Sequence, residues 1–393
     1  MPDGLLWGRP SPRRLPPAQA AAQARGGLPL PPLARKGRAA LSNPANRFEE
    51  SAAEPFDDGW GTLAQELADL PPLPTRLLKD SARSAIAYNE SPDLGFDRSI
   101  NPYRGCEHGC IYCYARPSHA YLGLSPGLDF ETTLLFKPDL PRLLERELSR
   151  PGYRPRPIAL GANTDPYQPI ERKLALTRQV LEVLERFRHP VTIVTKSAAV
   201  LRDRDILARM AALGLVRVAL SVTTLDAELA RRMEPRAASP GRRLAAMAEL
   251  AEAGVPVAVL VAPIIPGLND AELERILEAA AARGATSAGY VLLRLPHELK
   301  DLFREWLERH YPQRAQRVLA LIRQTRGGAL YRSAFGERQT GSGPYAEMLA
   351  ARFARAIRAL GLDRRQGGTA GLQTGLFRVP ASAAGGAAQL ELF

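Results

Sequence analysis

The middle of the chain alternates short apolar runs with longer amphipathic segments. Five runs have the apolar, β-branched composition of buried strands: IALGAN (158–163), VTIVTK (191–196), VRVALSVT (216–223), VPVAVLVAPIIPG (255–267) and SAGYVLLRL (287–295). The segments between them place apolar residues at helical spacing: 171–187, 203–214, 240–254 and 271–284. Repeated strand–helix units predict a parallel sheet with right-handed crossovers, either open or closed into a barrel.

Polar side chains follow three of these strands. They are Asn163, Thr164 and Asp165 after the first, Lys196 and Ser197 after the second, and Ser221, Thr223 and Thr224 after the third. Active sites of such folds form at the carboxyl ends of the strands. We therefore expect these polar groups to line one site.

The two ends of the chain differ in composition from this core. Residues 1–45 are rich in Pro, Ala, Arg and Gly without an apolar period, which predicts a disordered basic arm. The segment KGRAALSNPANRFE (36–49) is expected to lie as an extended strap over the folded body. The remaining predicted parts are a strap and lead-in at 46–98, the core at 99–295, a basic helical extension at 296–360 and a flexible tail at 361–393.

The net charge is +12, and basic residues are concentrated towards the C-terminus. Residues 309–360 hold ten arginines against only Glu337 and Glu347. Such a block can neutralise phosphates of a nucleic acid, and it can equally be a solvated face of surface helices. In the last predicted helix the apolar stripe is Leu349, Phe353, Ile357 and Leu360, and the outward arginines are Arg352, Arg355 and Arg358.

The chain has no run of 18 or more apolar residues, so we expect no membrane-spanning segment. Its N-terminus lacks the apolar stretch of a signal peptide. We therefore expect a monomer in the reducing cytoplasm, where clustered cysteines more often bind metal or carry out redox chemistry.

All three cysteines of the chain lie within CEHGCIYC (106–113). The C-x3-C-x2-C spacing can bring three thiolates round one small metal centre, with Gly105 and Gly109 allowing sharp turns. A structural zinc site would need a fourth ligand, which His108 or His119 would have to supply. A four-iron cube usually takes four cysteines, so three would leave one iron open to another ligand.

With Tyr112 before Cys113, this motif resembles the signature of the radical S-adenosylmethionine enzymes. The chain is similar to the spore photoproduct lyase-like branch of that family, and the strap points to a bacterial subgroup whose substrate the family name leaves open. The segments that carry the resemblance are NPYRGCEHGCIYCYAR (101–116), TDPYQPIE (164–171), VTKS (194–197) and APIIPGLND (262–270). The resemblance covers about 85–295.

The resemblance implies an α/β fold, a partial (β/α)6 TIM-like barrel with a flexible N-terminal arm and a C-terminal helical extension. SINPYRG (99–105) would be its first strand. The resemblance also implies a 4Fe–4S cluster on Cys106, Cys110 and Cys113, with S-adenosylmethionine on the open iron. An external one-electron reductant of the flavodoxin or ferredoxin type would reduce the cluster, and a 5′-deoxyadenosyl radical would then abstract hydrogen from a substrate.

Several contacts to S-adenosylmethionine follow from the same resemblance, each beside a structural alternative. Tyr112 is expected near the adenine, or simply over the cluster. Thr164 and Asp165 are candidates for the methionyl amino group, whereas Asp165 before Pro166 is also a plain turn-former.

The later strands supply the other predicted contacts. Lys196 is expected to pair with the methionyl carboxylate, because an unpaired lysine in a barrel mouth is costly. Ser221 would bond a ribose hydroxyl or the carboxylate, or be a satisfied structural serine. The backbone of Ala262, Pro263 and Ile264 would bind the adenine edge, or would only be part of a buried strand.

Two classes of function remain open. The first is a radical enzyme acting on a large substrate, nucleic acid or protein. The second is an iron–sulfur electron-transfer or structural protein without radical chemistry, which would be expected to have four protein ligands. The arginines near the strand ends, which could meet an anionic substrate or form salt bridges, are Arg104, Arg116, Arg236 and Arg294, with Glu234 beside them in the loop after the fourth strand.

The cysteine count also limits the reaction. In spore photoproduct lyase a further cysteine outside the cluster motif gives a hydrogen atom to the repaired thymine radical. This chain has no fourth thiol, and nothing in the sequence marks Tyr114 or Tyr167 as a substitute. We therefore expect a different radical reaction.

Overall fold

The computed structural model describes residues 35–49, 73–363 and 371–381. Residues 1–34 of the predicted basic arm and most of the predicted flexible tail lie outside these ranges. Within the described ranges, no helix is long and apolar enough to cross a membrane.

Short strands make up two sheets. In chain order the strands are β1 (Arg76–Lys79), β2 (Ala87–Tyr88), β3 (Arg98–Ile100), β4 (Tyr103–Arg104), β5 (Thr133–Phe136), β6 (Ile158–Leu160), β7 (Val191–Thr195), β8 (Val216–Ser221), β9 (Val257–Ile264) and β10 (Ala285–Leu292). The large sheet has the order β10-β9-β8-β7-β6-β3-β2, and the small one the order β1-β5-β4. All pairs in the large sheet are parallel except β2 with β3.

Helices cover the large sheet. They are α1 (Leu128–Thr132), α2 (Leu140–Leu148), α3 (Glu171–Leu174), α4 (Leu176–Arg186), α5 (Arg204–Ala212), α6 (Ala227–Met233), α7 (Pro240–Glu252), α8 (Leu273–Ala281), α9 (Leu299–His310), α10 (Pro312–Gln324) and α11 (Pro344–Ala359). Short 3₁₀ helices lie at Arg116–Leu122, Ala198–Asp203 and Asp270–Glu272.

The six parallel strands lie in the sheet in the same order as in the chain. A doubly wound sheet would reverse its strand order at a switch point, whereas a barrel winds in one direction. One face of β8 is apolar, with Val216, Val218 and Leu220 all fully buried. The predicted partial (β/α)6 architecture is confirmed.

Two predicted elements differ in detail. SINPYRG is not one strand: β3 ends at Ile100, and Tyr103 and Arg104 pair with β5 in the small sheet. Pro102 between them has no N–H to continue the ladder. The helix predicted at 171–187 is broken at Ala175, which has a φ of 50°, and the Glu171 carboxylate accepts the Thr177 N–H of the second helix at 3.1 Å.

The C-terminal extension contacts both ends of the large sheet, after β10 and in the loop between β2 and β3. Arg326 donates to the carbonyls of Leu293 and Glu337 at 2.8 and 2.6 Å. A few residues later, Arg338 pairs at 2.7 Å with Asp93, in the loop between β2 and β3. The open side of the sheet is thus bridged by polar contacts instead of a further strand.

Part of the predicted flexible tail is packed. Phe377 lies against Tyr153, Phe187 and His189, with ring centroids 5.5 to 6.2 Å apart. The Arg378 N–H donates to the Phe187 carbonyl at 3.0 Å. Residues 371–381 are therefore held against the core, because one large aromatic side chain buries apolar surface there.

Candidate cofactor site

The cysteines lie on a turn between β4 and the 3₁₀ helix Arg116–Leu122, which we call the cluster loop (residues 105–114). This loop follows the first barrel strand, at the edge where the carboxyl ends of the parallel strands meet. Cys106 and Cys110 are buried, each in a different cluster of apolar side chains. Cys113 is half-buried and packs against both clusters.

Two glycines shape the cluster loop. Gly105 and Gly109 have φ values of 75° and 66°. A Cβ on Gly105 would lie 2.8 Å from Leu134 Cδ2, and one on Gly109 would lie 2.7 Å from Glu131 Oε2. Both positions therefore require glycine for conformation and for space.

A buried ion pair fixes the backbone of the cluster loop. Arg116 and Glu131 are both fully buried and pair through Arg116 Nη2 and Glu131 Oε1. Arg116 also donates to the carbonyls of Cys110 at 2.8 Å and Gly109 at 2.9 Å. All of its donor directions are used within the protein, so Arg116 is structural and is not available to a substrate.

The same glutamate binds the N-terminal strap. Glu131 accepts the N–H groups of Ala39 at 3.1 Å and Ala40 at 2.9 Å, and Arg38 donates to the Glu131 carbonyl at 2.6 Å. Arg38, Ala39, Ala40 and the following Leu41 are buried. They belong to the segment 36–49 that is expected to lie over the folded body, and also to the range 1–45 that is predicted as a disordered arm. They are ordered because one carboxylate supplies the acceptors that their backbone needs.

Asp165 ties the cluster loop to the third barrel strand. Its Oδ2 lies 3.3 Å from His108 Nδ1 and accepts the Lys196 N–H at 2.7 Å. Its Oδ1 accepts the Thr195 hydroxyl at 2.7 Å and the Tyr167 N–H at 2.9 Å. Burial alone would raise the pKa of Asp165, but His108 and these hydrogen bonds outweigh burial and lower it to about 2.

Glu234 fixes the other side of the cluster loop. Its carboxylate accepts the Tyr112 hydroxyl and the Thr223 hydroxyl, the latter at 2.6 Å, and pairs with buried Arg243. Arg243 also donates to the Ser221 carbonyl at 2.9 Å. Tyr112 is therefore held in one orientation by a carboxylate from the loop after α6.

The predicted contacts to S-adenosylmethionine surround this network. Ser221 donates to the Ala262 carbonyl at 3.0 Å. Thr223 Oγ1, whose one hydrogen goes to Glu234, lies 3.1 Å from the same carbonyl and 3.1 Å from the Tyr112 hydroxyl. Thr164 is farther along the same edge and donates to the Tyr103 carbonyl at 2.7 Å. Ile264 is buried at the end of β9.

Lys196 is the cation of this site. It is half-buried, and its Nζ lies 5.7 Å from the centre of the Tyr112 ring. Among the described residues it forms no ion pair with a carboxylate. A half-buried ammonium group of this kind fits the carboxylate of a bound ligand.

The cysteine thiols fit a cluster of several irons. Burial raises the pKa of all three, so binding iron as thiolates would release their protons. In the described part of the chain, no group of three or more His, Cys, Asp or Glu could hold a single metal ion. A cube spreads its cysteines over different irons and does not need such convergence.

The two histidines considered as zinc ligands are engaged elsewhere. His108 Nδ1 faces Asp165, and His119 Nε2 lies 2.9 Å from the Thr133 carbonyl. His119 also packs edge-on against Phe130, with ring centroids 5.1 Å apart. Both rings therefore contribute to holding the cluster loop.

The remaining predicted arginines divide into paired and unpaired residues. Arg104 pairs with Asp80 at 2.7 Å and Arg236 with Glu107 at 3.1 Å. Arg294 lies over the ring of half-exposed Tyr114, 4.9 Å from its centre, and its buried Nε has no hydrogen-bond partner among the described residues. Arg294 is thus the predicted arginine that remains available next to Cys113.

The chain is similar in sequence to a known family and to several known proteins. The family model of the Radical SAM superfamily matches residues 100–280. An uncharacterised protein of Mycobacterium tuberculosis is 38% identical over 242 residues, which is 60% of this chain and 71% of that protein. An uncharacterised protein of Methanocaldococcus jannaschii is 28% identical over 237 residues, 60% of this chain and 84% of that protein.

Solved structures show the same fold at low identity. Spore photoproduct lyase complexed with dinucleoside spore photoproduct aligns with a TM-score of 0.53 and 18% identity, over 72% of this chain and 79% of that chain. A variant of that enzyme with bound AdoMet and the same dinucleoside aligns with the same TM-score of 0.53, at 18% identity and over the same 72% and 79%.

Removing the charge of Glu131 should destabilise the protein strongly. Glu131→Gln would leave the Arg116 guanidinium buried without a counter-charge, which costs about 3–5 kcal/mol in unfolding free energy. Chemical denaturation of the metal-free protein measures this loss, with Glu145→Gln on α2 as the control for a partly exposed carboxylate. A loss equal to that of the control would contradict the structural role of the ion pair.

Proposed function

The chain belongs to the radical S-adenosylmethionine superfamily, whose enzymes use a 4Fe–4S cluster and S-adenosylmethionine, and from this premise we propose which residues hold the two cofactors. Cys106, Cys110 and Cys113 bind the cluster as thiolates. When bound, the cofactors supply a 5′-deoxyadenosyl radical that removes a hydrogen atom from a substrate. This assignment rests on one observation. The three thiols of the chain lie on one loop, beside a half-buried Lys196 that forms no ion pair with a carboxylate of the described residues.

The residues around Tyr112 bind S-adenosylmethionine. Lys196 pairs with the methionyl carboxylate. Ser221 gives its one hydroxyl hydrogen to the Ala262 carbonyl, so its oxygen accepts a ribose hydroxyl and does not bind the carboxylate. Tyr112 presents its ring face to the adenine, because Glu234 and Thr223 hold its hydroxyl. The Ala262 carbonyl accepts the Ser221 hydroxyl and has Thr223 Oγ1 3.1 Å away, so adenine recognition would use the other backbone groups of Ala262–Ile264.

Thr164 and Asp165 have different roles. A carboxylate has about four acceptor positions, and Asp165 uses all of them on His108, Thr195, Lys196 and Tyr167. Asp165 is therefore a positioning residue that fixes the cluster loop relative to Lys196. Thr164 donates to a carbonyl and keeps its acceptor lone pairs, which suits the methionyl ammonium group.

Nucleic acid is the substrate class that the surface near the cluster loop favours. Phe48 and Tyr121 are 57% and 72% exposed, with ring centroids 5.4 Å apart. The Arg47 guanidinium lies 4.7 and 5.0 Å from the two ring centres and pairs with Glu298 at 3.1 Å, so it orders the two rings and is not itself a free charge. Exposed aromatic rings beside arginine form stacking platforms for bases. Spore photoproduct lyase, which shares the fold, is complexed with a dinucleoside.

The C-terminal helix contributes less to such an interface than the sequence suggests. The apolar stripe of α11 packs as predicted, with Leu349 and Phe353 buried. Arg352 is bound to Glu274 at 2.6 Å, which leaves Arg355 and Arg358 as the exposed arginines of the three. We call the surface of Arg47, Phe48 and Tyr121 the stacking platform, and it is therefore the better place to test nucleic-acid binding.

Radical formation is the first test. After anaerobic reconstitution, the protein should hold about four irons and four sulfides per chain. With S-adenosylmethionine and dithionite it should produce 5′-deoxyadenosine. Cys110→Ala should lose both the cluster and the product while keeping the circular dichroism of the fold. Stoichiometric zinc without visible charge-transfer absorption would contradict the assignment.

Lys196→Ala should weaken S-adenosylmethionine binding. Loss of one charge-assisted contact costs about 1.5–3 kcal/mol, or roughly a tenfold to hundredfold change in Kd. Calorimetric titration of the cluster-loaded variant measures this, with Lys300→Ala on α9 as the control. Equal affinities of Lys196→Ala and the native protein would assign Lys196 a structural role.

Binding to single-stranded DNA should depend on the stacking platform. The double variant Phe48→Ala/Tyr121→Ala should bind more weakly by about 1–3 kcal/mol for each stacked base lost. Phe335→Ala is the matched control, since Phe335 is 61% exposed and lies under Arg338. Fluorescence anisotropy at several salt concentrations measures both. A flat salt dependence and unchanged affinity would favour a peptide or small molecule as substrate.

Repair of spore photoproduct should be inefficient. No thiol other than Cys106, Cys110 and Cys113 exists to return a hydrogen atom to the thymine radical. Incubation of the reduced, cluster-loaded protein with dinucleotide spore photoproduct and S-adenosylmethionine tests this. Clean conversion over many turnovers to two thymines, without sulfinated by-products, would overturn it.

A further inference from the structure

A basic cavity lies on the outer side of the cluster loop. Its volume is about 550 Å³. Among the described residues that line it, four are cations, Lys36, Arg38, Lys173 and Arg236, and one is an anion, Glu107. We call this cavity and its rim the basic pocket.

The positive charge of the basic pocket is not balanced by its own acid. Glu107 forms an ion pair with Arg236 at 3.1 Å and accepts a hydrogen bond from the Thr75 hydroxyl at 2.6 Å. Arg38 donates to the carbonyls of Glu131 and Leu73, which are dipoles without net charge. Burial, followed by the charge of Arg236, lowers the pKa of Arg38, which reflects this crowding of cations. The pocket therefore attracts negative charge.

The border of the basic pocket has the character of a protein interface. Leu77 lines the pocket and is 38% exposed, and Leu78 beside it on β1 is 44% exposed. Among the described strands, β1 pairs with β5 alone, so its other edge carries no strand. Exposed apolar residues next to a charged rim are typical of protein–protein contacts. A site for a small anion would not need them.

The basic pocket borders the cluster loop beside Cys106. Glu107 is the neighbour of Cys106 in the chain, and it lines the pocket with its carboxylate bound to Arg236 and Thr75. Glu107 and His108 are 4% and 2% exposed, so protein atoms cover the loop at this point. Tyr114, which is 44% exposed, is not among the described residues that line the pocket and lies beneath Arg294.

We propose that the basic pocket is the docking site of an acidic one-electron donor protein of the flavodoxin or ferredoxin class. The proposal rests on the proposed function, in which the cysteines hold a cluster that an external donor must reduce. One electron leaves the reduced donor and enters the cluster, so the donor is oxidised by one electron, and no bond is made or broken. Lys36 and Lys173, both exposed, steer the donor by charge.

Charge reversal tests the docking site. The cluster-loaded full chain is compared with Lys36→Glu/Lys173→Glu and with the control Arg142→Glu/Arg275→Glu, whose side chains are 72% and 65% exposed on other helices. The probe is a bacterial flavodoxin of net negative charge. Calorimetry with oxidised flavodoxin at several salt concentrations gives Kd, and stopped-flow absorbance with reduced flavodoxin gives the rate of cluster reduction.

The pocket variant should bind flavodoxin about tenfold more weakly and lose most of the salt dependence, with a matching fall in the rate of cluster reduction. The control should stay within about twofold of the native protein. Unchanged Kd and rate in the pocket variant, or no salt-sensitive binding by the native protein, would overturn the proposal. Reduction by dithionite bypasses docking: absence of 5′-deoxyadenosine in every variant under dithionite would instead contradict the proposed function.

Discussion

The cluster loop depends on one buried ion pair, Arg116 with Glu131. Neither residue is exposed to solvent, and both gain their partners from segments that are separate in the chain. Arg116 fixes the carbonyls of the cluster loop, while Glu131 orders the strap through Ala39 and Ala40. Burial of two charges costs desolvation free energy, which is offset only when every remaining donor and acceptor has a partner. Here the cluster loop and the strap supply those partners.

Three carboxylates hold the cluster loop at different points. Glu131 holds the backbone at Gly109 and Cys110 through Arg116, Asp165 holds His108, and Glu234 holds Tyr112. They come from α1, from the loop after β6 and from the loop after α6. A loop fixed from several elements has its side chains oriented before any ligand binds, which is the condition for a precise cofactor site.

Sequence reasoning succeeded where the signal was local. The strand–helix alternation gave the order of the barrel strands, and the spacing of the cysteines gave the cluster loop, because both depend on residues close together in the chain. Glu131 was missed, since a single glutamate in LDFETT has no periodicity or motif that marks its burial. The packing of Phe377 was missed because its partners are distant in the chain. The break at Ala175 was missed because alanine does not mark the positive φ that it adopts there. Glu234 was noticed as near the site, but its bond to Tyr112 could not be read from the chain.

The charges around the cysteines also form a pattern that favours a negative cluster. Each nearby carboxylate has its own basic partner: Glu131 with Arg116, Glu234 with Arg243, Glu107 with Arg236 and Asp165 with His108. An unpaired carboxylate near three thiolates would oppose the binding of iron by repulsion. Among the described residues, the charges left over are Lys196 and Arg294 near the strand ends, and Lys36, Arg38 and Lys173 in the basic pocket. Both groups are positive, so the cluster loop is bordered by sites that attract anions. This suits the proposed carboxylate of S-adenosylmethionine at Lys196 and the proposed acidic donor at the basic pocket.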